Sequence, residues 1–150
     1  MTADQDMIKL YSARILALAA DMPHTQRLAL PSGTAKRRSP LCGSTVTVDI
    51  ALDDGKITAF GQDVKACALG QAAAAVVGAG IVGLDETAVQ QGRDELNAML
   101  KSGGPVPAAP FDGLKVLQPA AEYKNRHASI LLVFDAALDA FKASRAANCA

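Results

Sequence analysis

The sequence has no tryptophan, only four phenylalanines and only two tyrosines. Its core must therefore be filled by Leu, Ile and Val, with alanine faces that let backbones approach closely. It also lacks an excess of either charge: 15 basic residues meet 15 acidic ones, which argues against nucleic acid as the main partner. No apolar run approaches the ~20 residues needed to cross a bilayer, so no membrane partner is expected. The opening stretch, Met1 to Lys9, carries acidic residues before any hydrophobic run and does not have the form of a secretory signal. Cytoplasmic residence is the expectation, in a compartment where thiols stay reduced. Three cysteines are an odd count, which speaks against a disulfide framework. The chain has no Ser-His-Asp arrangement, no close pair of catalytic carboxylates, no P-loop and no C-x-x-C. Hydrolase and kinase chemistry have nothing to stand on, and a binding protein is expected rather than an enzyme.

What is present is a pair of cysteines in small-residue loops, Pro40-Leu41-Cys42-Gly43-Ser44 and Lys65-Ala66-Cys67-Ala68-Leu69-Gly70. Between them lie two alternating apolar segments, Val46 to Leu52 and Ile57 to Val64, joined by Asp53-Asp54-Gly55-Lys56. Alternation around such a turn predicts a β-hairpin. A hairpin returns the chain to its origin, so Cys42 and Cys67 should come close together. Two loop thiols at one end of a hairpin suggest a soft metal site or a redox pair. Cys67 also stands just before a helix start, where the N–H groups favour thiolate. Cys149 is expected to fray in solvent.

The length suits one domain, residues 1–150, with a core that needs no staples. Ile8, Tyr11, Ile15, Leu18 and Met22 recur at helical spacing, predicting a helix over 4–20 that ends at Pro23. A first strand is expected near Leu28 to Lys36, and Lys36-Arg37-Arg38 in a loop before Cys42, either simply solvated or docking an acidic partner. The alanine-rich run Ala68 to Val77 favours helix. Asp85 is placed to cap a further helix over 85–100, with Val89, Leu96 and Leu100 inward. Ser102 to Gly113 reads as loop. A last helix starts at about Arg126 and carries Leu131, Phe134, Leu138 and Phe141 on one stripe. Strand content precedes most of the helix content, which predicts an α+β fold: a small three-stranded antiparallel sheet with helices on one face.

Gly78-Ala79-Gly80-Ile81-Val82-Gly83 spells a dinucleotide fingerprint, which requires a strand before it and a helix opening within it. The preceding Ala72 to Val77 is better helix than strand, so the glycines are expected to break that helix and form a turn. His24 reads as surface. His127, at the start of the last helix, either faces the thiols or caps the helix. Ser44 is either a weak oxygen ligand or a strand-start hydroxyl.

With these residues in view, the chain resembles the iron–sulfur cluster assembly scaffold family of the IscU/SufU/NifU N-terminal type, over roughly residues 7 to 142. Tyr11-Ser12 with Ile15 resembles the opening helix. Arg38-Ser39-Pro40-Leu41-Cys42-Gly43 is similar to a SufU-like first cysteine loop, and Ala66-Cys67-Ala68 sits where the second cysteine opens a helix. The chain departs from the family at two places. Ser44 stands where aspartate is usual, and the third cysteine is absent. Aligning through Asp135-Ala136 puts Ser129 at that third position, and aligning on His127 puts Ala128 there.

The resemblance implies a scaffold that holds an iron–sulfur cluster, in one option [2Fe–2S], on Cys42 and Cys67. His127 would be a third ligand and Ser44 and Ser129 altered ligand positions, with zinc as the alternative cargo. It also implies a cysteine desulfurase and apo iron–sulfur proteins as partners. Two other readings stay open: a degenerate scaffold that regulates the assembly machinery without metal, and a thiol-redox or sulfurtransferase protein acting through Cys67.

Overall fold

A computed structural model describes residues 13–40 and 43–148. Three antiparallel strands form one sheet in the order β1-β2-β3: β1 Gly33–Arg38, β2 Thr45–Asp53 and β3 Lys56–Lys65. Among the described residues four α-helices accompany it: α1 Ala13–Ala20, α2 Ala68–Gly80, α3 Glu86–Ser102 and α4 His127–Asn148. This is the α+β arrangement expected, and the hairpin pairs Asp53 with Lys56. Asp54 and Gly55 both have positive φ, at 53° and 77°, the backbone a two-residue turn needs to follow the strands' twist. Of the helix expected over 4–20, residues 13–20 are seen, and the rest lies outside the described residues.

Val46, Val48 and Ile50 point from β2 to the helical face and are buried, as are Ile57 and Phe60 from β3. α4 lies over β1 and β2, with α2 and α3 packed on it and α1 on α2. Leu131, Phe134, Leu138 and Phe141 of α4 are all buried, as their stripe predicts. The Phe134 ring meets Phe111 edge-on, with centroids 5.1 Å apart. Asp85 caps α3, its side chain accepting from Ala88 N at 2.9 Å, and Gly103 ends the helix at φ 65°.

Three expectations are corrected. The first strand spans Gly33–Arg38 rather than Leu28 to Lys36. The stretch before it crosses the sheet's outer face as a strap: the Leu28 amide donates to Asp49 Oδ2, and the His24 carbonyl accepts from Gln62 N. Pairing starts at Gly33, where α4 lies so close that a Cβ would collide with the Ala140 carbonyl. Lys36, Arg37 and Arg38 accordingly lie in β1, opposite Thr47, Val46 and Thr45, and not in a loop.

α2 is not broken at Gly78 but runs on to Gly80. A Cβ at Gly78 would meet Gln62 Nε2 at 2.6 Å, so the missing side chain makes room for a packing partner. The run before the glycines is helix, as anticipated, and the dinucleotide context is absent. The stretch 103–111 is loop, as expected, and it is followed at Asp112–Glu122 by a succession of 3₁₀ turns that closes the core with Leu114, Leu117 and Ala120.

Candidate functional site

Three chain segments meet at the end of the sheet away from the hairpin turn. β3 ends at Lys65, and two residues later Cys67 forms the N-terminal cap of α2, with φ −66° and ψ 170°. Its Sγ lies 3.8 Å from Ser129 Oγ, in the first turn of α4. Ser129 Oγ in turn lies 3.1 Å from Ser44 Oγ, just before β2. Ser129 and Ser44 are buried and Cys67 is half-buried. At the start of α4, Ser129 is the side chain brought against Cys67.

Gly70 makes this approach feasible. A Cβ there would stand 2.8 Å from Ser129 Oγ, so only glycine lets the first turn of α2 lie on α4. Sequence reasoning passed over Gly70; a glycine three residues into an alanine-rich helix was its one signal, because glycine is otherwise a poor choice there.

The described residues on either side of the β1–β2 connection are hydrogen-bonded to one another. Ser39 N donates to Ser44 O at 2.8 Å, and Gly43 N donates to Ser39 O at 2.9 Å. Gly43 takes a φ of 69°. Cys42 belongs to this connection in sequence but lies outside the described residues, as does Cys149. Ser39 is buried, and its hydroxyl has no partner among the described residues.

The Cys67 thiol titrates below its ordinary value. Burial opposes ionisation, but hydrogen bonding from the Gly70 amide, the Ser129 hydroxyl and the Leu69 amide outweighs it, helped by the positive charge of Arg126. Sγ makes no cap hydrogen bond of regular geometry; the pull is that of a helix start on an anion beside it. Each hydroxyl has one proton to give. With a neutral thiol, Cys67 can donate to Ser129 and Ser129 to Ser44. With a thiolate, Ser129 must turn its proton to sulfur, and Ser44 can donate to Ser129. The pair of serines adapts to either charge state without moving.

His127 is buried, and its Nε2 lies 3.0 Å from Ala120 O and 3.2 Å from Ala121 O. A carbonyl only accepts, so Nε2 carries the proton and ties the 3₁₀ run to α4. Only Nδ1 is left with a lone pair. His24 is exposed, as expected. Among the described residues no three His, Cys, Asp or Glu side chains converge. Cys67 offers the one soft donor there, and the two serines beside it are harder oxygen groups.

No protein-family model matches the chain, and no curated protein matches it. Solved structures do. A nitrogen-fixing NifU-like protein (N-terminal) from Brucella abortus is similar with a TM-score of 0.90 and 40% identity, covering 94% of this chain and 98% of that one. A putative iron–sulfur cluster assembly scaffold protein for the SUF system from Fervidobacterium islandicum AW-1 shares the fold, with a TM-score of 0.78 and 18% identity over 88% and 96% of the two chains. A hypothetical protein likewise shares the fold, with a TM-score of 0.77 and 20% identity over 89% and 97%. Identity of 40% across almost the whole of both chains, on one fold, settles the kinship: the chain belongs to the NifU-like N-terminal family, within the IscU/SufU/NifU group.

Proposed function

We propose that this protein is an iron–sulfur cluster scaffold or carrier, a binding protein rather than an enzyme, with a variant site. The observation that carries this is the meeting of Cys67 with Ser129 and Ser44 on a NifU-like fold. Cys67 supplies one thiolate and Cys42 the second. Ser129 occupies the third-cysteine position of the resemblance, and Ser44 the aspartate position. His127 would contribute through Nδ1. The cargo is an iron–sulfur cluster, with zinc as the competing occupant. A stable cluster normally rests on four thiolates, so a site short of thiolates holds its cargo loosely, which suits a protein that must give it up. A cysteine desulfurase as sulfur source and apo iron–sulfur proteins as acceptors follow from the same reading, as does work in the cytoplasm. Among the described residues no helix is long and apolar enough to cross a membrane.

The test is anaerobic reconstitution with iron and sulfide, followed by metal and acid-labile sulfide analysis. The expected result is iron and sulfide in near-equal amounts, lost in Cys67→Ser and retained more tightly in Ser129→Cys. Zinc alone in every variant would overturn the cluster assignment.

One observation favours a second reading, the metal-free regulatory partner: Ser129 Oγ is already hydrogen-bonded within the protein. That reading expects desulfurase binding to survive the double variant Cys42→Ser/Cys67→Ser, with no metal in the native protein. The lowered Cys67 titration supports a thiol-redox role instead. An alkylation rate for metal-free Cys67 no faster than that of free cysteine would remove it.

A further inference from the structure

The outer face of the sheet is divided in two. Residues directly opposite in an antiparallel sheet share a face, so Thr34, Asp49 and Gly61 form one outward row, Lys36, Thr47 and Asp63 a second, and Arg38, Thr45 and Lys65 a third. In the first row the strap covers Asp49 and Gly61, where a Cβ would collide with the Gln26 carbonyl, and leaves Thr34 exposed at the sheet edge. In the second and third rows Lys36, Arg38 and Lys65 are exposed, with half-buried Thr45 and Thr47 between them.

Among the described residues, no carboxylate forms an ion pair with Lys36, Arg38 or Lys65, whereas Arg37, on the opposite face, is bound by Asp139. A Cβ at Gly43 would lie 4.0 Å from Arg38 Nη2, so this guanidinium stands beside the residue that leads into Ser44 and β2. Lys65 is two residues from Cys67, and the positive charge of Arg126 reaches the same sulfur. In a chain whose charges sum to zero, the outward patch carries three cations against one acid, Asp63.

We propose that this patch is the docking face for a protein presenting a carboxylate-rich surface, which it brings edge-on to Cys67. The inference rests on the scaffold reading for its purpose, but its chemistry is that of the patch alone. Unpaired, exposed like charges beside a site steer an oppositely charged partner and set its orientation. Such contacts are screened away in high salt.

Poly-glutamate serves as the probe, titrated into the isotope-labelled full chain and followed by NMR. The expected result is movement of the amides of Lys36, Arg38, Thr45, Thr47 and Lys65, abolished at ~1 M salt, where the screening length is ~3 Å. Lys36→Glu/Arg38→Glu/Lys65→Glu should weaken binding by about tenfold or more, and the corresponding glutamine variants by less. The same reversal at exposed Lys56, Lys115 and Lys142 should leave it unchanged. Equal effects from the two triple variants would overturn the proposal. Self-association of the free protein that disappears in the patch variant would overturn it too, since the occupant would then be a second copy. Cluster loading from inorganic iron and sulfide should be unaltered in the patch variant. Loading that fails in the unsubstituted protein as well would count against the scaffold reading and leave the docking face standing.

Discussion

The strapped end of the sheet and the thiol end treat buried polar groups in opposite ways. Under the strap, Asp49 has a fully buried side chain and is satisfied on every side. Arg27 Nε donates at 2.6 Å and Nη2 at 3.1 Å, Thr34 Oγ1 at 2.6 Å and the Leu28 amide at 3.0 Å. At the thiol end, two serines share one hydrogen bond with a weak sulfur neighbour, and among the described residues a third buried hydroxyl has no partner and Lys36, Arg38 and Lys65 form no ion pair. A fully satisfied cluster fixes a chain in place. A cluster with spare donors and acceptors has capacity for something else. The first is where stability should reside, and the second is where function should.

The largest expected effect therefore lies far from the thiol. Asp49→Ala leaves the half-buried Leu28 amide without its acceptor, removes the bond from the Thr34 hydroxyl and releases the strap. We expect a loss of about 2–3 kcal/mol in urea unfolding, the range for hydrogen bonds to a charged group, since half-exposed Arg27 regains water. Cys67 alkylation should not change.

The same cluster gives the protein an acid limit. Burial would raise the Asp49 titration, but the hydrogen bonds from Arg27, Thr34 and Leu28, with the charge of Arg27, hold it below the ordinary carboxylate value. The carboxylate thus contributes stability above its unfolded pKa of about 3.9, and that contribution is lost as pH falls through the lower folded value. In Asp49→Asn this slope below about pH 4 should be missing from unfolding curves measured against pH. A slope equal to the parent's would place the acid sensitivity elsewhere.

How legible each end was in the sequence follows from the same physics. The hairpin, α3 and α4 announce themselves because their burial is set by side chains at a fixed period, and Asp54-Gly55 and Asp85 punctuate them. β1 does not. Its inward positions Gly33 and Ala35 are small because α4 lies close over them, so no alternating hydrophobic pattern exists to be read, and the start was placed too early. The strap and the 3₁₀ run were invisible for a related reason: both are held by contacts with distant segments, Asp49 for one and the His127 ring for the other.

At the site, Cys67 was legible from its place before a helix, and Ser44 and Ser129 from where the resemblance falls. Gly70 and Arg126 were not, because their roles arise only when α2 and α4 are brought together.

An intermediate effect is expected at Ser129. Ser129→Ala removes the hydroxyl between Cys67 and Ser44, at a cost of about 1 kcal/mol for one buried hydrogen bond. Its clearer signature is chemical. The thiolate loses one of its stabilising donors, so the thiol titration should move up toward its ordinary value and alkylation at neutral pH should slow. Ser129→Cys should preserve packing while adding a second thiol beside the first. An unchanged alkylation profile in Ser129→Ala would mean that the helix start and Arg126 alone set the reactivity of Cys67.

The smallest effect on stability belongs to Ser39, and it gives the sharpest test of the contrast between the two ends. Its hydroxyl is buried without a hydrogen bond among the described residues, while its backbone holds the turn through Ser44 and Gly43. A group already stripped of water and bonded to nothing contributes no net hydrogen-bond energy, and its removal relieves a desolvation cost. Ser39→Ala should therefore leave urea unfolding within about 0.5 kcal/mol of the parent, or slightly more stable. The backbone bonds that shape the turn survive the substitution, so any change in metal retention would come from the hydroxyl itself. Unchanged stability with faster loss of metal would identify Ser39 as a group kept for the cargo. A loss of stability as large as that of Asp49→Ala would show instead that the thiol end is held together by the same kind of satisfied polar contacts as the strap.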